Sequence, residues 1–282
     1  MKKTAYILCA LAVLSLSSCE MFEMDNFDGP DAQISGNLID AETGENIQIE
    51  LVNQEGGMDW STWPPSFTEG KKHGTLVVTE LGWEATEEQA WYVRFDGSYT
   101  NNLVFAGEYS VSSKFLPCYE ATETFKVEKG ANTKDFRMLP FGRIKDLNFS
   151  YDAASKKIRA TFVPEVTDAT KAGTIARVVL CCNTSNFVGS YFNLCAQDPG
   201  ASRQTNPWMG TSITPGQPVT LEIDTTLPAN NEEFKYERTH FLRVGIQVQG
   251  PGYNSNSLYN FSPVYTVSKD FSKFEKYVWP AE

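Results

Sequence analysis

Two stretches of the sequence set aromatic rings beside planar polar groups in glycine-rich surroundings. Gly56 to Gly74 holds Trp60, Trp63 and Phe67 among prolines and charges, and Ala196 to Gly216 holds Arg203, Gln204, Asn206 and Trp208. Such rings stack on the apolar C–H faces of sugars while amides and guanidinium groups pair with hydroxyls, which makes both stretches candidate glycan-binding loops. A long segment with no strand signal is unusual in a compact domain unless it is functional or disordered. The plainer reading is that these tryptophans cover the ends of hydrophobic cores or a domain interface. Trp83 and Trp91 flank strand-like segments and read as core.

Catalysis has thinner support. The histidines, His73 and His240, are far apart in sequence, and neither Gly-x-Ser-x-Gly nor His-Glu-x-x-His occurs. A glycoside hydrolase needs only two carboxylates about 5 to 10 Å apart, a separation no sequence reveals. With 35 Asp and Glu such a pair stays open, although most of these side chains are solvated surface charges. Asp25 to Asp31 superficially matches a calcium loop, but Met24 occupies the first ligand position and the closing Glu is missing, so that site is rejected. No cysteine spacing fits zinc, and no cofactor or metal is expected.

Cys19 carries different chemistry. Lys2 and Lys3 precede an apolar run from Ala5 through Leu16, and small residues lead to Cys19, the order of a secretory signal spanning residues 1–18. The run is too short for a bilayer core, which needs about 20 residues of helix. Leu16-Ser17-Ser18-Cys19 matches a bacterial lipobox, in which cleavage frees a cysteine that takes acyl chains. Each buried CH₂ adds about 0.8 kcal/mol, so several chains anchor firmly. The alternative is an ordinary signal with an incidental cysteine. Glu20, Glu23, Asp25 and Asp28 then lead to Gly29-Pro30, which reads residues 19–29 as a solvated acidic tether.

The net charge of -11 and the pI near 4.8 disfavour nucleic acid and anionic lipid as partners, because phosphate repels such a surface. Neutral ligands fit better. Aromatic residues make up 13% of the chain, more than aliphatic cores require, so some should lie on the surface. Cys118, Cys181, Cys182 and Cys195 remain besides the lipidation candidate. Adjacent residues of a strand point to opposite faces, so only one of Cys181 and Cys182 can face a partner. A Cys182–Cys195 disulfide is one reading, and buried thiols are the other.

Strand signals dominate the elements that must position these residues. Leu242, Val244, Ile246 and Val248 alternate with Arg243, Gly245, Gln247 and Gln249, the period of a half-buried strand. Ile158, Ala160 and Phe162 alternate with polar neighbours and form a hairpin with Ile144 to Tyr151 across Asp152-Ala153-Ala154-Ser155. Further strands are expected at Thr75 to Leu81, Trp91 to Phe95, Val104 to Val111, Thr122 to Val127, Ile175 to Cys182 and Val219 to Ile223. Only Glu84 to Ala90 hints at a helix. A boundary near Leu139-Pro140-Phe141-Gly142, with about 260 residues beyond Cys19, gives two tandem β-sandwich domains, 30–140 and 141–282.

Ile34-Ser35-Gly36-Asn37-Leu38-Ile39-Asp40-Ala41-Glu42-Thr43-Gly44-Glu45 resembles the opening of a carboxypeptidase regulatory-like domain, a transthyretin-like sandwich. Its physics is local: a strand, then a turn in which Asp40 and Thr43 bond backbone amides and Gly44 takes a positive φ. Asn46 stands where that family often has proline. In the family the motif is structural, so no site is assigned to it.

Asp96-Gly97-Ser98-Tyr99, Asn102, Val104-Phe105-Ala106-Gly107-Glu108-Tyr109, Phe115-Leu116-Pro117 and Asn260-Phe261-Ser262-Pro263 resemble an uncharacterised family of Bacteroidetes lipoproteins. Its members look like companions of outer-membrane transporter pairs that import glycans. The acidic run after Cys19 is similar to that phylum's surface-export signal, and Asp224-Thr225-Thr226 to its O-glycosylation acceptor. The resemblance implies an all-β, lipid-anchored outer-membrane protein on the cell surface, with a regulatory-like sandwich followed by an immunoglobulin-like one. A periplasm-facing anchor is the alternative.

The leading expectation is therefore a non-catalytic glycan-binding accessory of a polysaccharide uptake system, with a polysaccharide or oligosaccharide as ligand and an outer-membrane glycan transporter complex as possible partner. The second is a structural or adhesive component that docks proteins on its edge strands. A hydrolase is the third.

Overall fold

The computed structural model describes residues 29–50, 74–171, 173–195, 213–227, 234–250 and 258–279. It also describes the backbone of the short strands Val52–Asn53, Gly57–Asp59, Ser66–Thr68, Lys72–His73 and Trp208–Met209. The chain is all-β and builds two tandem sandwiches, each closed over its own apolar core.

The first sandwich is organised by the strand Ala32–Asp40. Ser98–Val104 pairs antiparallel along one edge, and Gly130–Thr133 and then Phe136–Met138 pair parallel along the other. Gly36 lies where the second edge changes partner, and a Cβ there would meet the Lys134 carbonyl oxygen at 1.8 Å. The glycine of the opening motif thus permits close backbone approach. The facing sheet runs Thr122–Val127, Gly107–Phe115, Thr75–Glu80, Glu88–Tyr92, all antiparallel. Ile34, Leu38, Leu76, Val78, Trp91, Tyr99, Val111 and Phe136 fill the space between.

The motif's turn forms as its residues dictate. Asp40 Oδ1 accepts the Glu42 N–H at 3.0 Å, Thr43 Oγ1 accepts the Glu45 N–H at 3.3 Å, and Gly44 has a φ of 76°.

In the second sandwich, Gly142–Asp152 and Lys157–Val166 form the expected hairpin, with Val219–Asp224 as third strand. Asp152 Oδ1 caps the turn by accepting the Ala154 and Ser155 N–H groups at 3.0 and 3.2 Å. The opposite sheet runs Trp208–Met209, Thr174–Asn183, His240–Gln249, Tyr265–Val267, Phe274–Lys276, with Asn260–Phe261 also on His240–Gln249. Ile158, Ala160, Phe162, Leu221, Ile223, Leu242, Val244 and Ile246 alternate inward and form the core.

Four sequence expectations need correction. Glu84 to Ala90 is not helical: bends at 81–85 lead into the strand Glu88–Tyr92, whose pairing with Thr75–Glu80 overrides local propensity. The single strand expected from Val104 to Val111 is two, with Phe105 and Ala106 between Ser98–Val104 and Gly107–Phe115. Trp83 is exposed on that bend, whereas Trp91 is buried. All four described cysteines are buried thiols, and the Cys182–Cys195 disulfide is not formed, although both residues lie in the second core. Cys181, one residue away, faces the other side of the sheet, as strand alternation requires.

The two sandwiches pack directly on each other through residues near the chain's end. Asn260 Nδ2 donates to the Pro117 carbonyl at 2.9 Å while its Oδ1 accepts the Gly142 N–H at 3.0 Å, so one side chain ties both halves. The Phe261 N–H donates to the Gln48 carbonyl at 3.2 Å. Arg143 adds a fork to Asp40, with Nε and Nη2 at 2.5 and 2.7 Å from its two carboxylate oxygens.

Candidate functional site

The strand His240–Gln249 explains how the junction becomes a site. Its sequence pattern predicts a polar outer face at Arg243 and Gly245, yet both are buried. The outer face is covered by a small third core of Val179, Cys181, Val188, Tyr259, Phe261 and Val264, flanked by Phe241, Tyr277 and Trp279. Gly245 is required there, because a Cβ would stand 2.7 Å from the Phe261 ring.

Arg243 is fully buried in this layer. Its guanidinium lies 4.3 Å from the Phe261 ring centroid and 5.4 Å from that of Phe95, a cation–π arrangement with two rings. Nε donates to the Ser262 carbonyl at 2.9 Å, Nη2 to that of Phe95 at 3.0 Å and Nη1 to that of Val188 at 3.5 Å. One side chain therefore joins the first sandwich, the 183–195 loop and the C-terminal segment. Burial pushes its pKa down to about 9, against the opposing pull of Glu50, so it remains cationic at neutral pH.

Glu50 is the second anchor. Oε2 accepts the Ser190 N–H at 3.0 Å and the Ser190 hydroxyl at 2.6 Å, and Oε1 accepts the Tyr191 N–H at 2.8 Å. Gly189 lets the carboxylate approach, since a Cβ there would lie 2.2 Å from Glu50 Oε1. The loop is also held from within. Asn193 Oδ1 accepts the Cys182 N–H at 2.9 Å, and Asn183 Nδ2 donates to the Phe192 carbonyl at 2.8 Å.

With Val188 and Gly189 drawn inward, the loop's large rings are left outside. Phe187, Tyr191 and Phe192 are 53%, 50% and 48% exposed. Phe187 and Phe192 meet Phe95 at centroid distances of 5.5 and 6.5 Å, and Trp279 meets Phe95 and Phe187 at 6.5 and 5.9 Å. Tyr277 packs edge-on to Trp279 at 5.1 Å, and its hydroxyl accepts a hydrogen bond from Asn186 Nδ2 at 3.1 Å. These contacts gather exposed Phe187 and Phe192 and half-buried Trp279 around the buried Phe95 ring, with exposed Tyr191 on the same loop, above a buried arginine and a buried glutamate; this group is the ring platform. Open rings fixed by packing offer stacking surface at little entropic cost.

Beside the platform lies a cleft of ≈ 540 Å³ between the sandwiches, into which Asn46, Gln48, Asp96, Arg143, Tyr277 and Trp279 contribute. Its volume is within the 300 to 1,000 Å³ typical of small-molecule sites. Among the described residues, no group of three or more His, Cys, Asp or Glu side chains is placed to hold a metal ion.

Of the glycan-binding residues expected from sequence, Trp60, Trp63, Arg203 and Asn206 fall outside the described residues, as does the lipidation candidate Cys19. Phe67 and Trp208 are placed by backbone only: Phe67 pairs with Met58, and Trp208 pairs with Val179 at an edge of the six-stranded sheet. The platform residues were missed, although one signal pointed to them. Phe187, Tyr191 and Phe192 follow Asn183-Thr184-Ser185-Asn186 and enclose Gly189, the same mix of rings and polar loop residues that singles out the other two stretches.

No protein-family model and no curated protein matches the chain. Solved structures do. A candidate carbohydrate-binding protein from Bacteroides uniformis is 25% identical over 85% of this chain and 100% of its own, with a TM-score of 0.66. DUF3823 family proteins from Parabacteroides merdae and Bacteroides ovatus are 19% and 17% identical, each over 84% of this chain, with a TM-score of 0.61 in both cases. The tandem-sandwich fold is thus one it shares with proteins of the Bacteroides group. One of these neighbours is a candidate carbohydrate-binding protein, and the other two belong to a family of unknown function.

Proposed function

We propose that the protein is a carbohydrate-binding lipoprotein that captures sugar chains without cleaving them. The observation that carries this reading is the group of exposed rings Phe187, Tyr191 and Phe192 beside the half-buried Trp279, built on a fold shared with a candidate carbohydrate-binding protein. Stacking rings bordered by amides is the surface a pyranose chain needs, and the chain's net charge of -11 favours an uncharged ligand. The lipobox supports anchoring through acylated Cys19, and the acidic residues behind it support export to the outer face of the outer membrane. A role beside a glycan transporter rests on the family resemblance.

Affinity electrophoresis through gels cast with single polysaccharides tests the binding. Retardation by at least one polymer is expected, with the dissociation constant rising about tenfold in Phe192→Ala and in Trp279→Ala. Retention by none, together with a stoichiometric protein captured from solubilised membranes, would turn the reading towards protein docking. Release of reducing sugar that one carboxylate substitution abolishes would make the protein a hydrolase. Fractionation tests the anchor: Cys19→Ala should move the protein from membrane to soluble fraction.

A further inference from the structure

We infer that the cleft between the sandwiches is the second half of this site and takes one end of an uncharged oligosaccharide lying across the platform, an inference that rests on the carbohydrate-binding reading. The first argument is continuity. Tyr277 and Trp279 line the cleft and also contact the ring group, so the two surfaces share residues.

The second argument is charge. The ionic groups lining the cleft balance, with Asp40, Glu45 and Asp96 set against Arg143, Lys145 and Lys276. Most are already engaged: Arg143 is forked to Asp40 and bonded to Glu42, Lys145 is paired with Glu165, and Asp96 Oδ1 accepts the N–H and hydroxyl of Ser98. An acidic sugar would find no surplus of positive charge to offset its desolvation.

The third argument is the orientation of two amides. Asn46 Nδ2 donates to Asn37 Oδ1 and to the Asp96 carbonyl, both at 3.1 Å, and Gln48 Nε2 donates to the carbonyls of Asp96 and Asn46 at 3.2 and 3.4 Å. Their donors are spent, whereas among the described residues no hydrogen bond is made to Asn46 Oδ1 or Gln48 Oε1. Two acceptors fixed in place suit a ligand rich in hydroxyl donors. Preorganised groups of this kind add affinity because little freedom is lost on binding.

The test uses the mature protein with a panel of neutral polymers (starch, xylan, mannan, mixed-linkage glucan) and acidic ones (polygalacturonate, alginate). Titration calorimetry then follows with oligosaccharides of two to seven units cut from whichever polymer retains it. Retention by a neutral polymer is expected, with affinity rising with chain length beyond the disaccharide. Gln48→Leu should weaken the longer oligosaccharides about tenfold and leave the shortest unchanged. Because Gln48 also supports the fold, Glu45→Trp provides an exposed substitution that narrows the cleft, with the same length-selective loss expected. Wild-type affinity in both variants overturns the cleft while leaving carbohydrate binding intact. Retention only by acidic polymers overturns the uncharged ligand class. Retention by no polymer overturns both readings.

Discussion

Glu50 of the first sandwich accepts the backbone N–H of Tyr191 in the second at 2.8 Å, and its other oxygen accepts that of Ser190 at 3.0 Å. A carboxylate satisfied on both oxygens by the neighbouring domain holds the display loop against the first sandwich. Charge-assisted bonds of this kind are about twice as strong as neutral ones. The exposed rings of that loop are therefore positioned by a residue that never reaches the surface.

Glu50→Gln should loosen the loop despite its equal size. Both oxygens are acceptors, so an amide must turn its NH₂ against an N–H donor on one side. A cost of about 1–3 kcal/mol is expected for the donor left unsatisfied. Gly189→Ala attacks the same contact sterically, through the Cβ that would stand 2.2 Å from Glu50 Oε1. Urea unfolding should report the stability loss in each, and polysaccharide affinity should fall with it. Unchanged binding in both variants would show that the platform does not depend on this anchor.

Arg243→Met should be more damaging than its burial among apolar rings suggests. Methionine fills much of the volume but leaves the Ser262 carbonyl unpartnered, at about 1–3 kcal/mol, and leaves the Phe95 carbonyl only the Ile49 N–H at 3.3 Å. Arg243→Lys should rescue little, because one ammonium on a flexible stem cannot reproduce the planar fork. Equilibrium denaturation checks both, and a methionine variant as stable as the parent would refute the assigned role.

The Asp40–Arg143 fork predicts an acid-labile junction. Burial raises the Asp40 pKa, but hydrogen bonds from Arg143 and the Glu42 N–H outweigh it and hold the carboxyl below its ordinary 3.8. A carboxylate depressed in the folded state contributes stability that is complete above the unfolded value and is lost as pH falls through the folded one. Stability should therefore drop below about pH 4. Asp40→Asn should cost about 1–3 kcal/mol at neutral pH, the scale of a lost charge-assisted bond, because Arg143 keeps its pairing to Glu42, and it should flatten that acid dependence. Denaturation midpoints from pH 2.5 to 7 supply the measurement.

The thiols should be silent until the protein unfolds. Burial pushes Cys118 and Cys181 well above the ordinary thiol range, which suppresses the reactive thiolate. In a chain starting at residue 30, aromatic disulfide reagent should label Cys118, Cys181, Cys182 and Cys195 only after denaturant is added. Rapid labelling of the native protein would contradict the buried assignment.

Local pattern in the sequence was enough where an element rests on its own neighbours. Alternation at Ile158, Ala160 and Phe162, the Asp152 turn and the Asp40 to Gly44 motif each rest on contacts within a few residues, and each forms as read. The same reasoning reached the wrong environment for Arg243 and Gly245. Period two marks them as an outer face but cannot say that the first sandwich and the C-terminal rings will cover it. The ring platform is the same case, since Phe95, Phe187, Phe192 and Trp279 come from three separated parts of the chain. Side-chain alternation is set by the backbone of one strand and is written locally. Which face stays wet, and which distant rings meet, depends on how two finished sandwiches dock, and only the tertiary structure decides that.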